Sequence, residues 1–390
     1  MRVLYVLIGV CLALCGCASV PGGVQQPTTQ ALSPQYDSVY HCADKYPEKI
    51  EIRYAKGLRV QYQTDGVHVF ISNPEQGSKA NAQELIVPLP TGEGRGGAPS
   101  FICTTALQLG NFEILGLENR IVGINSLKNI FSQNILKQIA NGTTQRVGRE
   151  GNFDLEAIIA AKPDYIFVSA SKYGGFEALK DCGIPLVPHH GYKETDPLGQ
   201  AEWIKLVGLL TGQTQRANAV FDYIEKEYLA LKQKVATATT SPQGGKRGGL
   251  PTVLSGRQLR DGWYVMGGKS YMAALFRDAG AEYIMSDLPN TGGTTLDFES
   301  VYARGINADF WQTDGSFDEV YTLDDLATED ARYRDIKAFK DERVLFCNLT
   351  KKPYRELAGV EPHIMLADFV KAFHPELLPA YTPKYYECLK

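Results

Sequence analysis

The sequence predicts an α/β protein of two lobes, each a parallel sheet flanked by helices, bridged by one long α-helix and preceded by a β-rich extension. Three observations lead there. Short apolar strands alternate with helices of 8–12 residues from Ser100 to about Pro188, and the same alternation returns after Pro251. Between them, "QTQRANAVFDYIEKEYLALKQKVAT" runs for more than twenty residues with Ala219, Tyr223, Tyr228, Leu231 and Val235 at helical spacing. Finally, "FDLEAIIAAKPDYIFV" from Phe153 is echoed by "LDFESVYARGINADFW" from Leu296, which places matching helix starts on two similar units.

Taken from the N-terminus, Met1-Arg2 and the apolar run Val3–Ala13 have the length of a signal peptide and are too short to span a bilayer comfortably. "LCGC" follows, and its leucine–small–Gly–Cys order resembles a bacterial lipobox with Cys17 as the lipidated residue; Cys15 would put bulky Leu14 at the cleavage position. Residues 1–16 therefore read as a lipoprotein signal peptide and 17–35, rich in Pro, Gly, Thr and Gln, as a flexible tether. The expected location is the periplasm, anchored through lipid to a bacterial membrane. Cys42, Cys103, Cys182, Cys347 and Cys388 remain; no CxxC or other metal spacing occurs, and an odd number leaves at least one thiol free or paired between chains.

Residues 36–97 form the predicted extension, in which "KIEIRYA", "LRVQYQT" and "VHVFIS" alternate with period two between Gly, Asp and Asn. The N-terminal lobe is expected over 98–197, with strands at "SFICTT", "NRIVGI", "DYIFVS" and "IPLVPHH" and helices at "ALQLGNFEILGL", "DLEAIIAA" and "GFEALKDCG". Such apolar strands suit a sheet covered on both faces. Residues 198–238 form the helical bridge, its first helix closed by Gly212, and a long second helix of roughly 30–35 Å. A linker at 239–251 leads to the C-terminal lobe, 252–390, which ends in an amphipathic closing helix, "PHIMLADFVKAF".

Net charge is −4 and no long basic run occurs, which excludes a nucleic-acid footprint. The absence of a nucleophile elbow, an HExxH or a phosphate-cradling glycine motif argues against an enzyme. Two rival readings compete: an exported hydrolase using Cys103 with His189-His190, and a free zinc or manganese carrier using His189-His190 with Glu194 and Asp196. The repeated helix start is more informative. Asp154 and Asp297 are suited to N-caps, and Glu156 and Glu299 fall at the second helical position, away from the apolar stripe. A glutamate there favours the helix dipole by itself. A matching pair on two lobes would suit a partner with two equivalent basic sites.

The segments "LGLENRIVGI", "GNFDLEAIIAAKPDYIFVS", "LKDCGIPLV", "LGQAEWIKLVGLLTG", "GWYVMGGKSYMAALFRDAGAEYI" and "LADFVKAFHPEL" together resemble the periplasmic-binding-protein family that delivers iron–siderophore complexes, haem and cobalamin to ABC importers. The likeness covers about residues 98–378. It implies a lipid-anchored, monomeric substrate-binding protein, not an enzyme and without a catalytic cofactor or resident metal. Its partners would be a permease dimer with its ATPase and a small-molecule metal chelate. It also implies that Glu156 and Glu299 engage arginines on the two permease subunits, and that lobe closure is small. The cleft is expected where loops leave the strands. That points to Thr104, Thr105, Arg149, Lys172 and Tyr173 on the first lobe, and to Trp263, Tyr264, Tyr271, Tyr354 and Arg355 on the second. Aromatic rings with Arg or Lys suit a planar or anionic chelate; a tyrosine such as Tyr173 or Tyr271 would ligate haem iron, whereas cobalamin needs only stacking. "SFICTT" departs from the family's Ser-Pro-rich first loop, and the extension is additional to it.

Overall fold

In the computed structural model, which describes residues 36–40, 47–76, 82–87, 98–127, 130–149, 151–169, 176–240 and 249–390, two five-stranded sheets form the centres of two lobes. The expected signal peptide and tether, with Cys17, and also Cys42, Lys172 and Tyr173, lie outside the described residues. The extension contributes β1 (Leu58–Tyr62), β2 (Val67–Ile71) and β3 (Gln83–Val87), an antiparallel sheet in sequence order. The first lobe holds β4 (Phe101–Cys103), β5 (Ile121–Ile124), β6 (Gln145–Arg146), the hairpin β7–β8 (Gly148–Arg149, Asn152–Phe153), β9 (Tyr165–Val168) and β10 (Leu186–Pro188). Its sheet runs β10-β9-β4-β5-β6, every pair parallel.

The second lobe has β11 (Thr252–Ser255), β12 (Arg257–Leu259), β13 (Gly262–Met266), β14 (Glu282–Tyr283), β15 (Gly293–Leu296), β16 (Phe310–Gly315), β17 (Val344–Asn348) and β18 (Glu387–Cys388). The main sheet is β14-β11-β16-β17-β18, parallel except for the last pair; β12, β13 and β15 form a separate antiparallel sheet. The central strands are buried on both faces, as in Phe101–Cys103 and Phe310–Thr313, because helices cover each side.

Fourteen α-helices are present among the described residues, of which eight matter to the site: α2 (Ala106–Leu115), α4 (Leu155–Ala161), α6 (Pro197–Ala201), α7 (Ile204–Leu210), α8 (Thr214–Thr240), α10 (Phe298–Gly305), α13 (Tyr354–Leu357) and α14 (Pro362–Phe373). The others are α1 (Asp37–Tyr40), α3 (Gln133–Ala140), α5 (Phe176–Lys180), α9 (Tyr271–Asp278), α11 (Leu323–Glu329) and α12 (Lys337–Lys340). α8 has 27 residues, about 40 Å at 1.5 Å per residue. It is longer than the expected strut because its helical pattern continues through "TATT". Ala219, Tyr228 and Val235 are buried along it, and Tyr223 and Leu231 pack partly against the core. Gly212 separates α7 from α8 with φ +70°, a left-handed conformation that glycine adopts without Cβ strain.

"KIEIRYA" alternates like a strand but is not one. The end of this segment and the two residues after it are captured instead by two buried glutamates. Glu202 accepts the N–H groups of Arg53, Tyr54 and Ala55 at 2.7–3.0 Å, and Glu194 accepts those of Lys56 and Gly57. Lys205 Nζ lies 2.8 Å from Glu202 and donates to the Glu51 carbonyl, so the buried acid is matched by a buried cation. Leu58, Val60 and Val69 of β1 and β2 line one small cavity with Leu206 and Leu209 of α7, and Gln83 reaches the Leu186 carbonyl of edge strand β10. The extension is thus built into the first lobe.

Candidate functional site

The lobes meet where α2, which begins after β4, packs against α13, which follows β17. Gly110 permits this approach: a Cβ there would lie 1.9 Å from the Glu356 carbonyl oxygen. Glu356 is 0% exposed, and its carboxylate accepts the Phe131 N–H from the first lobe at 3.0 and 3.2 Å. At another point the extension crosses the junction. Glu75 pairs with Lys193 on the first lobe and accepts the Thr291 hydroxyl on the second at 3.0 Å. The carboxyl ends of β4 and β17 are therefore directed to one junction, the position at which open α/β sheets hold ligands.

On the first-lobe side, Gln108 Oε1 accepts the N–H groups of Thr104 and Thr105 and its amide donates to Ser169. The Thr104 hydroxyl donates to the Phe167 carbonyl and is buried, which leaves it nothing to offer a ligand; Thr105 Oγ1 has no partner. Arg149 is exposed on the hairpin that follows β6. His190 Nδ1 also lacks a partner, and burial followed by the nearby Lys193 charge lowers the pKa of that ring.

Arg257, immediately beyond β11, organises the second-lobe side. Its guanidinium donates to the Asp314 carbonyl at 3.0 Å and clamps Glu329, while its Nε is unpartnered. Burial raises the Asp314 carboxyl pKa, opposed by Arg257 and then Arg355. Phe317 and Tyr321 stack at 3.9 Å between ring centres, and the Tyr321 hydroxyl donates to Glu329. Tyr354 stands edge-on to Tyr385 and Tyr386, both at 5.9 Å, and Arg355 is exposed beside it. Tyr271 donates to the Ala358 carbonyl at 3.1 Å, and Tyr264 is 36% exposed. Further buried polar atoms without partners lie on the same side: Gln258 Oε1, Gln312 Oε1 and Thr313 Oγ1. Such atoms are costly unless something completes their bonding.

Besides Thr104, a second sequence-predicted site residue is a core residue. Trp263 is 0% exposed, packed 5.5–5.6 Å from Phe298, Trp311 and Tyr333, and its indole N–H donates to the Ser255 carbonyl. It offers a ligand no surface, because a strand-borne tryptophan next to a second sheet gains more from burial on both sides. The sequence reading missed Arg257, Asp314, Glu329 and the Phe317–Tyr321 stack. The available signal was position: Asp314 ends "DFWQTD" at a strand exit.

Cys103, Glu194 and Asp196, which the rival chemistries would need, are committed elsewhere. Cys103 is 1% exposed and burial pushes its thiol pKa up, the reverse of a nucleophile's requirement. Glu194 also accepts the Trp203 indole N–H, and Asp196 caps α6 through Leu198 and Gly199. Burial lowers the His189 pKa to about 3. Among the described residues, no group of three or more His, Cys, Asp and Glu side chains gathers to hold a metal ion, and no helix is long and apolar enough to cross a membrane. Cys103, Cys182, Cys347 and Cys388 are all free thiols.

Two parallel-sheet lobes bridged by one unbroken helix, with strand ends turned to a shared junction, define a two-lobed binding-protein class. Residues 102–348 match the periplasmic binding protein family, and the chain belongs to it. In fold it is similar to a periplasmic heme binding protein from Pseudomonas aeruginosa, with TM-score 0.58, 19% identity, and coverage of 75% of this chain and 98% of that one. It is also similar to a protein of an ABC-type Fe3+-hydroxamate transport system from Saccharomonospora viridis, with TM-score 0.56, 14% identity, and coverage of 78% and 98%. These identities establish the fold alone. An uncharacterized lipoprotein of Methanocaldococcus jannaschii is 28% identical over 250 residues, 63% of this chain and 56% of its own length. A second lipoprotein of that organism, also uncharacterized, is 25% identical over 240 residues, 60% and 59% respectively. The chain thus spans less than two thirds of the length of these two relatives.

Proposed function

We propose that this chain is the substrate-binding lipoprotein of an ABC importer. It captures an iron chelate (siderophore or haem) or cobalamin between its lobes and delivers it to a permease dimer with its ATPase. The observation that carries this reading is the set of unpartnered polar atoms at the strand exits of both lobes, with Arg257, Arg355 and Tyr354 around Asp314 on one side and Thr105 on the other. Guanidinium groups beside aromatic faces match a large anionic or planar chelate. Arg149, Lys172, Tyr173, Tyr264 and Tyr271 are the further candidate contacts. Tyr271 reaches iron only by giving up its bond to Ala358. Cys17 is the proposed lipid attachment site, and Glu156 and Glu299 the proposed permease contacts, setting orientation and on-rate more than affinity.

The test is a spectroscopic titration of the purified protein with haemin, a ferric hydroxamate siderophore and cyanocobalamin, beside zinc and manganese salts. Binding of one chelate with micromolar or better affinity is expected. Tight binding of a bare ion with none of the chelates would replace this reading by the metal-ion carrier. For docking, Glu156→Arg with Glu299→Arg is expected to abolish uptake while leaving chelate affinity intact; normal uptake would refute it.

A further inference from the structure

The two acids proposed to meet the permease are not in equivalent states. Glu156 is exposed at the second position of α4, and no described residue pairs with it. Ile159, one turn along the same helix, is 57% exposed and extends that surface with apolar area. On α10, Glu299 occupies the same helical position and its side chain is 78% exposed, yet Arg332 Nη1 lies 3.3 Å from its carboxylate.

Arg332 is not a wandering surface arginine. Its Nε is 3.0 and 3.2 Å from the two Asp330 carboxylate oxygens, its Nη2 is 2.6 Å from one of them, and its guanidinium lies 3.5 Å from the Phe298 ring centroid. A planar cation held by a carboxylate and an aromatic face loses much of the freedom that usually weakens exposed ion pairs. Asp330 itself accepts the Arg332 backbone N–H, which fixes the segment that presents the side chain. A guanidinium is thus stationed against the second lobe's acid and, among the described residues, none against the first's.

We infer that the lobes carry unequal docking sites: Glu156 is an open acid for an incoming cationic side chain, whereas Glu299 is shared with Arg332, which sets how strongly the second lobe is held. The inference rests on the docking reading above and concerns its energetics. A partner arginine approaching Glu299 meets Arg332 at short range and must displace it or share one carboxylate with it. The repulsion between the two cations acts only at that lobe. The first lobe then supplies most of the charge-dependent attachment, and the second lobe detaches more readily.

The test measures binding of the full chain to the permease–ATPase complex of the same cell in lipid nanodiscs, at low and physiological salt. Glu156→Gln is expected to weaken association about fivefold and Glu299→Gln less than about twofold, within the range of exposed ion pairs. Arg332→Gln is expected to tighten it about two- to threefold, a gain that disappears when Glu299→Gln is added. Arg332→Lys, which keeps the charge, should fall between Arg332→Gln and the parent, and thermal melts of each variant exclude a folding effect. Equal losses from Glu156→Gln and Glu299→Gln, with Arg332→Gln neutral or weakening, would overturn the inference while leaving docking intact. No change from either glutamate substitution would remove the docking reading and this inference with it.

Discussion

The fully buried Glu356 carboxylate of the second lobe accepts the backbone N–H of Phe131 on the first, a bond that crosses the junction between the lobes. Glu113 on α2 lies close enough to interact with it. Burial, and then the charges of Glu356, Glu118 and Glu361, raise the Glu113 pKa to about 8 from an ordinary value of 4.5. Burial likewise raises Glu356 to about 7, against the opposing hydrogen bonds from Phe131 and Ser132. Lys384 and the hydroxyl of Tyr385 pair with Glu361 nearby and limit the accumulated negative charge.

These shifts predict alkaline weakening of the lobe junction. A carboxyl group whose folded pKa exceeds its unfolded value favours the folded state in its protonated form. Its contribution is fully present below about pH 4.5 and is lost as pH rises through 7 to 8. Glu113→Gln keeps the shape and removes the charge. We expect that variant to gain about 3–4 kcal/mol more over the parent at pH 8.5 than at pH 5, measured by urea denaturation. Parallel pH profiles for the two proteins would show that Glu113 does not titrate across this range.

The Glu202–Lys205 pair makes a separate prediction about the extension. Glu202 is fully buried and accepts three consecutive backbone N–H groups, so its removal strands those donors and leaves Lys205 as an unpaired buried cation. Glu202→Ala is expected to cost about 3–5 kcal/mol, the cost of breaking a buried pair by removing one partner. Hydrogen exchange should accelerate first at Tyr54 and Ala55. Uniform acceleration over the whole chain would show instead that the extension does not open separately.

Much of this architecture was legible in the sequence, for reasons that also explain what was missed. Period-two and helical patterns depend on neighbours in the chain, so β2, β9, α4, α10 and the strut could be read from local residues. "KIEIRYA" has the same alternation, but its amides bond to a glutamate nearly 150 positions away. Local pattern carries no record of such a capture. The repeat containing Glu156 and Glu299 was visible as a motif, while the Arg332 that distinguishes them lies 33 residues from Glu299 and comes close to it only after folding. Trp263 failed for a related reason. An aromatic residue near a strand exit suits either a cleft or a core, and only the packing of β12–β13–β15 against the main sheet decides between them.

The Glu75 crossing between the lobes has an outcome that stability alone will not reveal. Its bonds to Lys193 and Thr291 are partly exposed, so Glu75→Ala should change global stability by less than about 1 kcal/mol. Because it bridges the first lobe and the 286–292 loop of the second, its loss is expected to broaden the distribution of distances between spin labels on the two lobes. An unchanged distribution would mean that the α2–α13 packing and the Glu356–Phe131 bond fix the lobes without it.

Trp263 and Arg355 separate core from site most directly. Trp263→Ala removes a side chain surrounded by Phe298, Trp311 and Tyr333, and should cost about 3–5 kcal/mol as a cavity in the core. Trp263→Phe retains most of that packing and should leave chelate affinity unchanged wherever the protein remains folded. Arg355→Ala is expected to behave in the opposite manner. Its side chain is exposed beside Asp314, so the melting temperature should hardly move, while affinity for an anionic chelate falls about tenfold through loss of one charge-assisted contact. Calorimetry and titration on the same three preparations decide the matter. If Trp263→Phe lost chelate affinity at full stability while Arg355→Ala kept it, the cleft would have to be redrawn around the tryptophan.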